Sequence, residues 1–178
     1  PGIQRTDLRT MITTTIWAAP APGSHVGFDA SRWTPWSSFL TAEESWGDPA
    51  GPASKYGRLF EVTHPLAAPA EIEIKHRSIL PRVAHEGLAF DSKNNLYFID
   101  ERDDGHLFKF TSAKPDARNG DAFFAAGQTF VLRVGDGRID EAIGAAAWIP
   151  LTDPNGVPLA GAVVVTDQWQ RKGLGTEM

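Results

Sequence analysis

Acidic side chains recur at the ends of strand-like segments in this 178-residue sequence. Hard cations such as calcium take six to eight oxygen ligands, typically from carboxylates, carbonyls and water. Acids that converge from separate segments therefore predict a cation site. The candidate ligands are Glu43, Glu44, Glu86, Asp100 and Glu101, and Asp103 and Asp167 occupy comparable places.

Each acid taken alone also has a simpler interpretation, as a solvated turn residue or as the partner of Arg82 or Arg102. The pair His85–Glu86 could supply a metal ligand or an acid–base group, although a single histidine of this kind is more often a hydrogen-bonded structural residue. The sequence contains no HExxH, GxSxG, GxxxxGK[ST] or GxGxxG motif. It therefore gives no support for a zinc protease, a serine hydrolase or a nucleotide-binding loop.

The elements that would position these acids are short strands joined by turns. The sequence has 17 Gly, 13 Pro, six Trp and ten Phe, which favours this kind of structure. The clearest unit is HEGLAFDSKNNLYFIDERDDGHLFKF, from His85 to Phe110. Its three apolar runs are separated by Asn94–Asn95 and Asp104–Gly105, residues that tolerate left-handed turn geometry, so it predicts an antiparallel meander.

Part of this unit has a copy earlier in the chain. GRLFEV (Gly57–Val62) resembles GHLFKF (Gly105–Phe110), and each follows a strand-like run that ends in acids. A third run of this kind, AVVVTD, spans Ala162–Asp167. Small antiparallel sheets that repeat every 40 to 60 residues or so are typical of propeller blades, and a sandwich of unrelated hairpins is the alternative.

The sequence therefore predicts an all-β fold of β-propeller-like antiparallel blades, in a single domain over residues 1–178 or part of one. Blade-like units are expected at about residues 34–63, 85–110 and 128–167. Because propellers close with four or more blades, we expect a fragment of a larger propeller or a sheet whose edges other chains cover. Further strands are predicted at Thr13–Trp17, Trp36–Glu43, Arg58–Thr63 and Glu71–Ile74, and Asp140–Ala147 could form a helical turn or two.

Composition excludes several classes of partner and site. The formal net charge is −5 and no cluster of Lys and Arg appears, which argues against nucleic-acid binding. No apolar run is long enough to span a bilayer, and no signal segment is visible. These residues include no cysteine, so they offer neither a disulfide nor a thiolate ligand.

Two stretches together resemble the PhoX-type alkaline phosphatase family of bacteria. TPWSSFLTAEESWG (Thr34–Gly47) is similar to the family's P-W-G-[ST]-W-L-T-C-E-E stretch. The unit from His85 to Phe110, with Arg82 before it, is similar to the family's R-F-x-H-E segment and to its T-E-D-R and G-x-x-Y-R-F strands. The family cysteine falls on Ala42, and the T-E-D-R stretch is Ile99–Arg102 here.

The resemblance implies a propeller that holds iron and calcium and hydrolyses phosphate monoesters in the periplasm or outside the cell. It implies that Glu43 or Glu44, Glu86, and Asp100 or Glu101 bind metal, and that Arg102 contacts the phosphate or a carboxylate. Calcium is the expected ion, because Ala42 cannot replace the cysteine that ligates iron. A non-catalytic propeller with structural calcium and a lactonase-like hydrolase on the same fold remain alternatives.

Overall fold

The computed structural model describes residues 1–45, 56–101, 105–135 and 144–160. Within these residues the chain forms eleven strands, a short helix and one turn of 3₁₀ helix at Pro69–Glu71. The elements are β1 (Gly2–Asp7), β2 (Ile12–Ala18), β3 (Phe28–Trp33), β4 (Phe39–Glu43), β5 (Leu59–Thr63), β6 (Glu73–His76), β7 (His85–Phe90), β8 (Leu96–Asp100), β9 (Leu107–Ser112), α1 (Gly120–Phe123), β10 (Gly127–Val134) and β11 (Ala146–Pro150).

The strands form two antiparallel meanders and a separate hairpin. The first sheet has the order β3-β4-β5-β6, the second has the order β7-β8-β9-β10-β11, and β1 pairs with β2. Each large sheet joins strands that follow one another in the sequence, which is how propeller blades are built. The prediction of an all-β fold with blade-like antiparallel sheets is confirmed.

The sequence repeat has a structural counterpart. GRLFEV covers most of β5 and GHLFKF covers most of β9, and each is the third strand of its sheet. The strands that end in acids, β4 and β8, are the second strands. The third unit predicted at 128–167 begins in β10, which pairs with β9, and its AVVVTD run lies outside the described residues. The division into blade-like units therefore stays a prediction.

The main core lies between the two sheets. Alternate residues of β4, Leu40 and Ala42, point into it, because side chains on a strand alternate between the two faces. Phe98 and Phe108 stack there with ring centroids 5.1 Å apart. Burying such large apolar side chains is the main favourable contribution to folding.

The other face of the first sheet is also covered. Ile16 of β2 packs there with Val62 and Ile72 in a second apolar cluster. The hairpin of β1 and β2 is attached by Arg5, whose Nη1 donates to the carbonyl oxygens of Pro65 and Ala67, each at 2.9 Å. This second layer is why β4 is buried on both faces.

Three local predictions were wrong in part. Trp36 lies in a turn before β4, where Ser37 has a φ of 67°. Glu71 belongs to the 3₁₀ turn, and the following strand starts at Glu73. A helical turn or two was predicted at residues 140–147. The last two of these residues, Ala146 and Ala147, instead begin β11, which pairs with β10. No helix in the described part of the chain is long and apolar enough to cross a membrane.

Candidate metal site at the strand ends

Three pairs of adjacent residues define the candidate site: Glu43–Glu44, His85–Glu86 and Asp100–Glu101. In each pair the first side chain is buried and the second is exposed. Successive side chains on a strand point to opposite faces, so the two members of a pair separate. Of the five predicted ligands, the structure brings Glu44, Glu86 and Glu101 together and places the other two in the interior.

The backbone around Ala84 brings the three exposed acids together. Ala84 forms a bridge with Glu44, and its carbonyl oxygen accepts a hydrogen bond of 2.9 Å from the backbone N–H of Glu101. Glu86 follows two residues later on β7. The chain approaches closely at Gly57 (φ 74°), where a Cβ would lie only 2.8 Å from the carbonyl oxygen of Val83. Glycine is required there for both reasons.

A fourth acid, Asp29 of β3, completes the cluster. One carboxylate oxygen each from Asp29, Glu44 and Glu86 lies within 4.8 Å of the others, and all three residues are exposed. Two oxygens bound to one calcium ion at about 2.3–2.6 Å are at most about 5 Å apart, so these oxygens fit a shared ion. No strand was predicted at Phe28–Trp33, so Asp29 was missed in the sequence.

The acids repel one another, and this repulsion raises the pKa of two of them, Glu44 and Glu86. The protonated Glu44 carboxyl group donates a hydrogen bond to the Glu101 carboxylate, and this bond and the charge of Glu101 raise the pKa of Glu44 to about 7, with smaller contributions from burial, Asp29 and Glu86. The charge of Glu101 and a hydrogen bond with Asp29 also raise the pKa of Glu86. Like charges in one site favour the protonated form, and a bound cation would remove that cost.

This repulsion predicts how Glu44→Gln changes stability without metal. The folded-state pKa of Glu44 is about 7 and its ordinary value is 4.5, so its stabilising contribution is complete below pH 4.5 and is lost as the pH rises through 7. In EDTA at low salt, we expect the variant to melt close to the unaltered protein at pH 5 and above it at pH 8. Using the difference between the two proteins cancels the contribution of the buried His85, which is the same in both. Equal melting temperatures at pH 8 would contradict the prediction.

The buried members of the three pairs have protein partners. Glu43 is ion-paired with Arg58 (Oε1 to Nη2, 2.7 Å). His85 packs against Phe98, and burial lowers its pKa to about 3 despite an opposing contact with the backbone of Gly57. Asp100 accepts a hydrogen bond from the backbone N–H of Ala84 at 3.1 Å. These contacts favour structural roles for Glu43 and Asp100, and their prediction as ligands is untested.

The remaining predicted site residues lie outside the described residues. They are Arg102, Asp103 and Asp167. Of the tryptophans near the acids, Trp36 packs on Phe123 with ring centroids 4.7 Å apart, and Trp33 is half exposed against Phe39. Trp46 is also outside the described residues.

The chain was compared with known proteins. The model of the family described as alkaline phosphatase PhoX matches residues 30–178, which is most of the sequence. The chain belongs to this family. Neither the curated proteins nor the solved structures give a significant match. The matched residues include three acids of the cluster, Glu44, Glu86 and Glu101, and Asp29 lies one residue before the match.

Family membership supports alkaline phosphatase-like function at the level of the family, whose members are metal-dependent and generally act outside the cytoplasm. One position tests which metal these residues suit. Ala42, where the resemblance places a cysteine ligand, is fully buried in the main core, and the 178 residues contain no cysteine. An iron centre held by that thiolate does not fit this chain, whereas a carboxylate site for a hard cation does.

Proposed function

We propose that this chain belongs to a calcium-dependent phosphomonoesterase, and that Asp29, Glu44, Glu86 and Glu101 hold the cation. The observation that carries the proposal is the convergence of four carboxylates from four segments of both sheets. Three of them stand in the stretches that match the family. Four carboxylates give four to eight oxygen ligands, which covers most of a calcium coordination shell.

The residues of the site would act mainly by position and charge. When bound, calcium would offset the negative charge of a phosphate monoester and orient it for attack. The carboxylates would hold the ion. The raised pKa of Glu44 favours its protonated form in the free site, and this proton would leave when the ion binds. Arg102 is proposed to contact the phosphate, since a guanidinium binds phosphate oxygens in a bidentate way.

The location and partners follow from the same proposal. The family generally acts in the periplasm or outside the cell, and we assign this protein there. The substrate is a phosphate monoester. Within the described residues, β3, β6, β7 and β11 are the edge strands of the two sheets, and each pairs with a strand of its sheet on one side only. Further segments or other chains would therefore complete a propeller.

A non-catalytic propeller with structural calcium is the second candidate, and Ala42 favours it. Hydrolysis of p-nitrophenyl phosphate separates the two. We expect calcium-dependent hydrolysis that EDTA abolishes and that Glu44→Gln with Glu86→Gln lowers by at least about 100-fold, since metal-site charge stabilisation contributes several kcal/mol. Calcium binding without hydrolysis, with or without added iron, would support the non-catalytic candidate.

A further inference from the structure

We infer that Glu43 and Arg58 are a positioning pair, which fixes the segment that carries Asp29 against the strand end that carries Glu44. The inference rests on the proposed metal site, and it names the residues that hold two of the ligands of that site in place. Neither residue belongs to the cluster of exposed acids. Their contacts instead join the two segments from which Asp29 and Glu44 project.

The Glu43 carboxylate is fully buried and receives four hydrogen bonds. Its Oε2 accepts from Arg58 Nε at 2.9 Å and from the Arg58 backbone N–H at 3.1 Å. Its Oε1 accepts from Arg58 Nη2 at 2.7 Å and from the Val26 backbone N–H at 3.1 Å. All four donors belong to Val26 or Arg58, which lie outside β4, so the carboxylate links β4 to these two residues.

Three hydrogen bonds attach the segment before β3 to the first sheet, and His25 also packs on Phe60 of β5 with ring centroids 4.9 Å apart. Arg58 Nη2 donates to the Ser24 carbonyl oxygen at 2.7 Å, and Val26 donates to Glu43. The backbone N–H of Glu44 donates to the Gly27 carbonyl oxygen at 2.8 Å. Two of the three hydrogen bonds therefore depend on the Glu43–Arg58 pair, and the third fixes Glu44 itself.

Asp29 needs this attachment because the strand ladder is irregular around it. Phe28 pairs with Glu43, but the register shifts before Ser31 pairs with Thr41. Asp29 lies within this bulge, where regular strand pairing does not set its direction. Its placement then depends on the anchored residues before it, and the Glu43–Arg58 pair supplies two of the hydrogen bonds that anchor them.

The first sheet provides a matched control on its opposite face. Glu61 of β5 is also buried and pairs with Arg77, whose Nε donates to Oε2 at 2.7 Å. Its other partners are Trp36 and Ser38, which lie away from the acidic cluster. Substitutions in either pair should lower the free energy of unfolding, because each leaves a buried charge without its partner. Only those in the Glu43–Arg58 pair should weaken metal binding.

The test is calorimetric titration of the full chain with calcium, at a temperature where near-ultraviolet circular dichroism shows each variant folded. Positioning residues around metal ligands typically contribute about 10- to 100-fold in affinity. We expect Glu43→Gln and Arg58→Met to weaken calcium binding by about that factor, and Arg58→Lys, which keeps the cation, to weaken it less. Glu61→Gln and Arg77→Lys should leave the affinity unchanged.

The two positions also separate positioning from simple charge. Removing the Glu43 charge would weaken cation binding at a distance, but removing the Arg58 charge would strengthen it. Stronger binding by Arg58→Met, wild-type binding by Glu43→Gln, or equal weakening by Glu61→Gln would overturn the inference. If Glu43→Gln does not fold, the two Arg58 variants decide. Absence of calcium binding by the unaltered protein would instead overturn the proposed function itself.

Discussion

Replacing both Glu44 and Glu86 by glutamine is expected to abolish the rise in melting temperature that calcium gives the unaltered protein. A ligand that binds only the folded state stabilises it by about 2.7 kcal/mol at 100 times its dissociation constant. For a chain of this size that corresponds to a rise of about 5–11 °C. Both side chains belong to the cluster whose oxygens lie within 4.8 Å of each other. Differential scanning calorimetry at pH 8, with calcium or with EDTA, measures the effect.

The control carries the same two substitutions at exposed glutamates outside the cluster, Glu71→Gln with Glu73→Gln. It changes the net charge equally, and it should keep the calcium-dependent rise. A rise of wild-type size in the Glu44 and Glu86 variant would contradict the proposed site. Loss of the rise in the control would show that calcium acts through net charge alone.

The second large effect is expected from Arg77→Met, which should lower the free energy of unfolding by about 3–5 kcal/mol. Arg77 is nearly buried and pairs with Glu61, which is 1% exposed. Removing the guanidinium leaves a buried carboxylate with hydrogen bonds from Trp36 and Ser38 but without its cation. It also removes the donor at 2.8 Å from Asp121 of α1. Urea unfolding at pH 7, followed by tryptophan fluorescence, measures the loss.

Lys75→Met is the matched control for this substitution. Lys75 pairs with the same Asp121 at 2.9 Å, but on the surface, where solvent screens the interaction. We expect only a small loss of stability. If Arg77→Met unfolds at the same urea concentration as the unaltered protein, the buried pair does not stabilise the first sheet in the way described.

Strand positions could be predicted from the sequence because alternation and turn residues are local signals. LYFID coincides with β8, and the related runs GRLFEV and GHLFKF cover most of β5 and β9. The acids that follow β4 and β8 were predicted for the same reason. A local pattern shows where a strand ends, and so it pointed to Glu44 and Glu101, while the His85–Glu86 pair at the start of β7 pointed to Glu86.

The pattern could not show which of two adjacent acids reaches the site. Alternation requires Glu43 and Glu44 to point to opposite faces, but the choice depends on what covers each face. Here the hairpin of β1 and β2 and the Arg58 side chain enclose the face of Glu43. Asp29 was missed because its direction depends on a bulge set by contacts between segments.

The most direct test is a crystal structure determined from crystals soaked in calcium, with the anomalous signal used to locate the ion. We expect one ion bound at about 2.3–2.6 Å by carboxylate oxygens of Asp29, Glu44, Glu86 and Glu101. Glu43 should remain on Arg58. Calcium bound only elsewhere, or an empty cluster at saturating calcium, would contradict the proposal that these four acids form a calcium site.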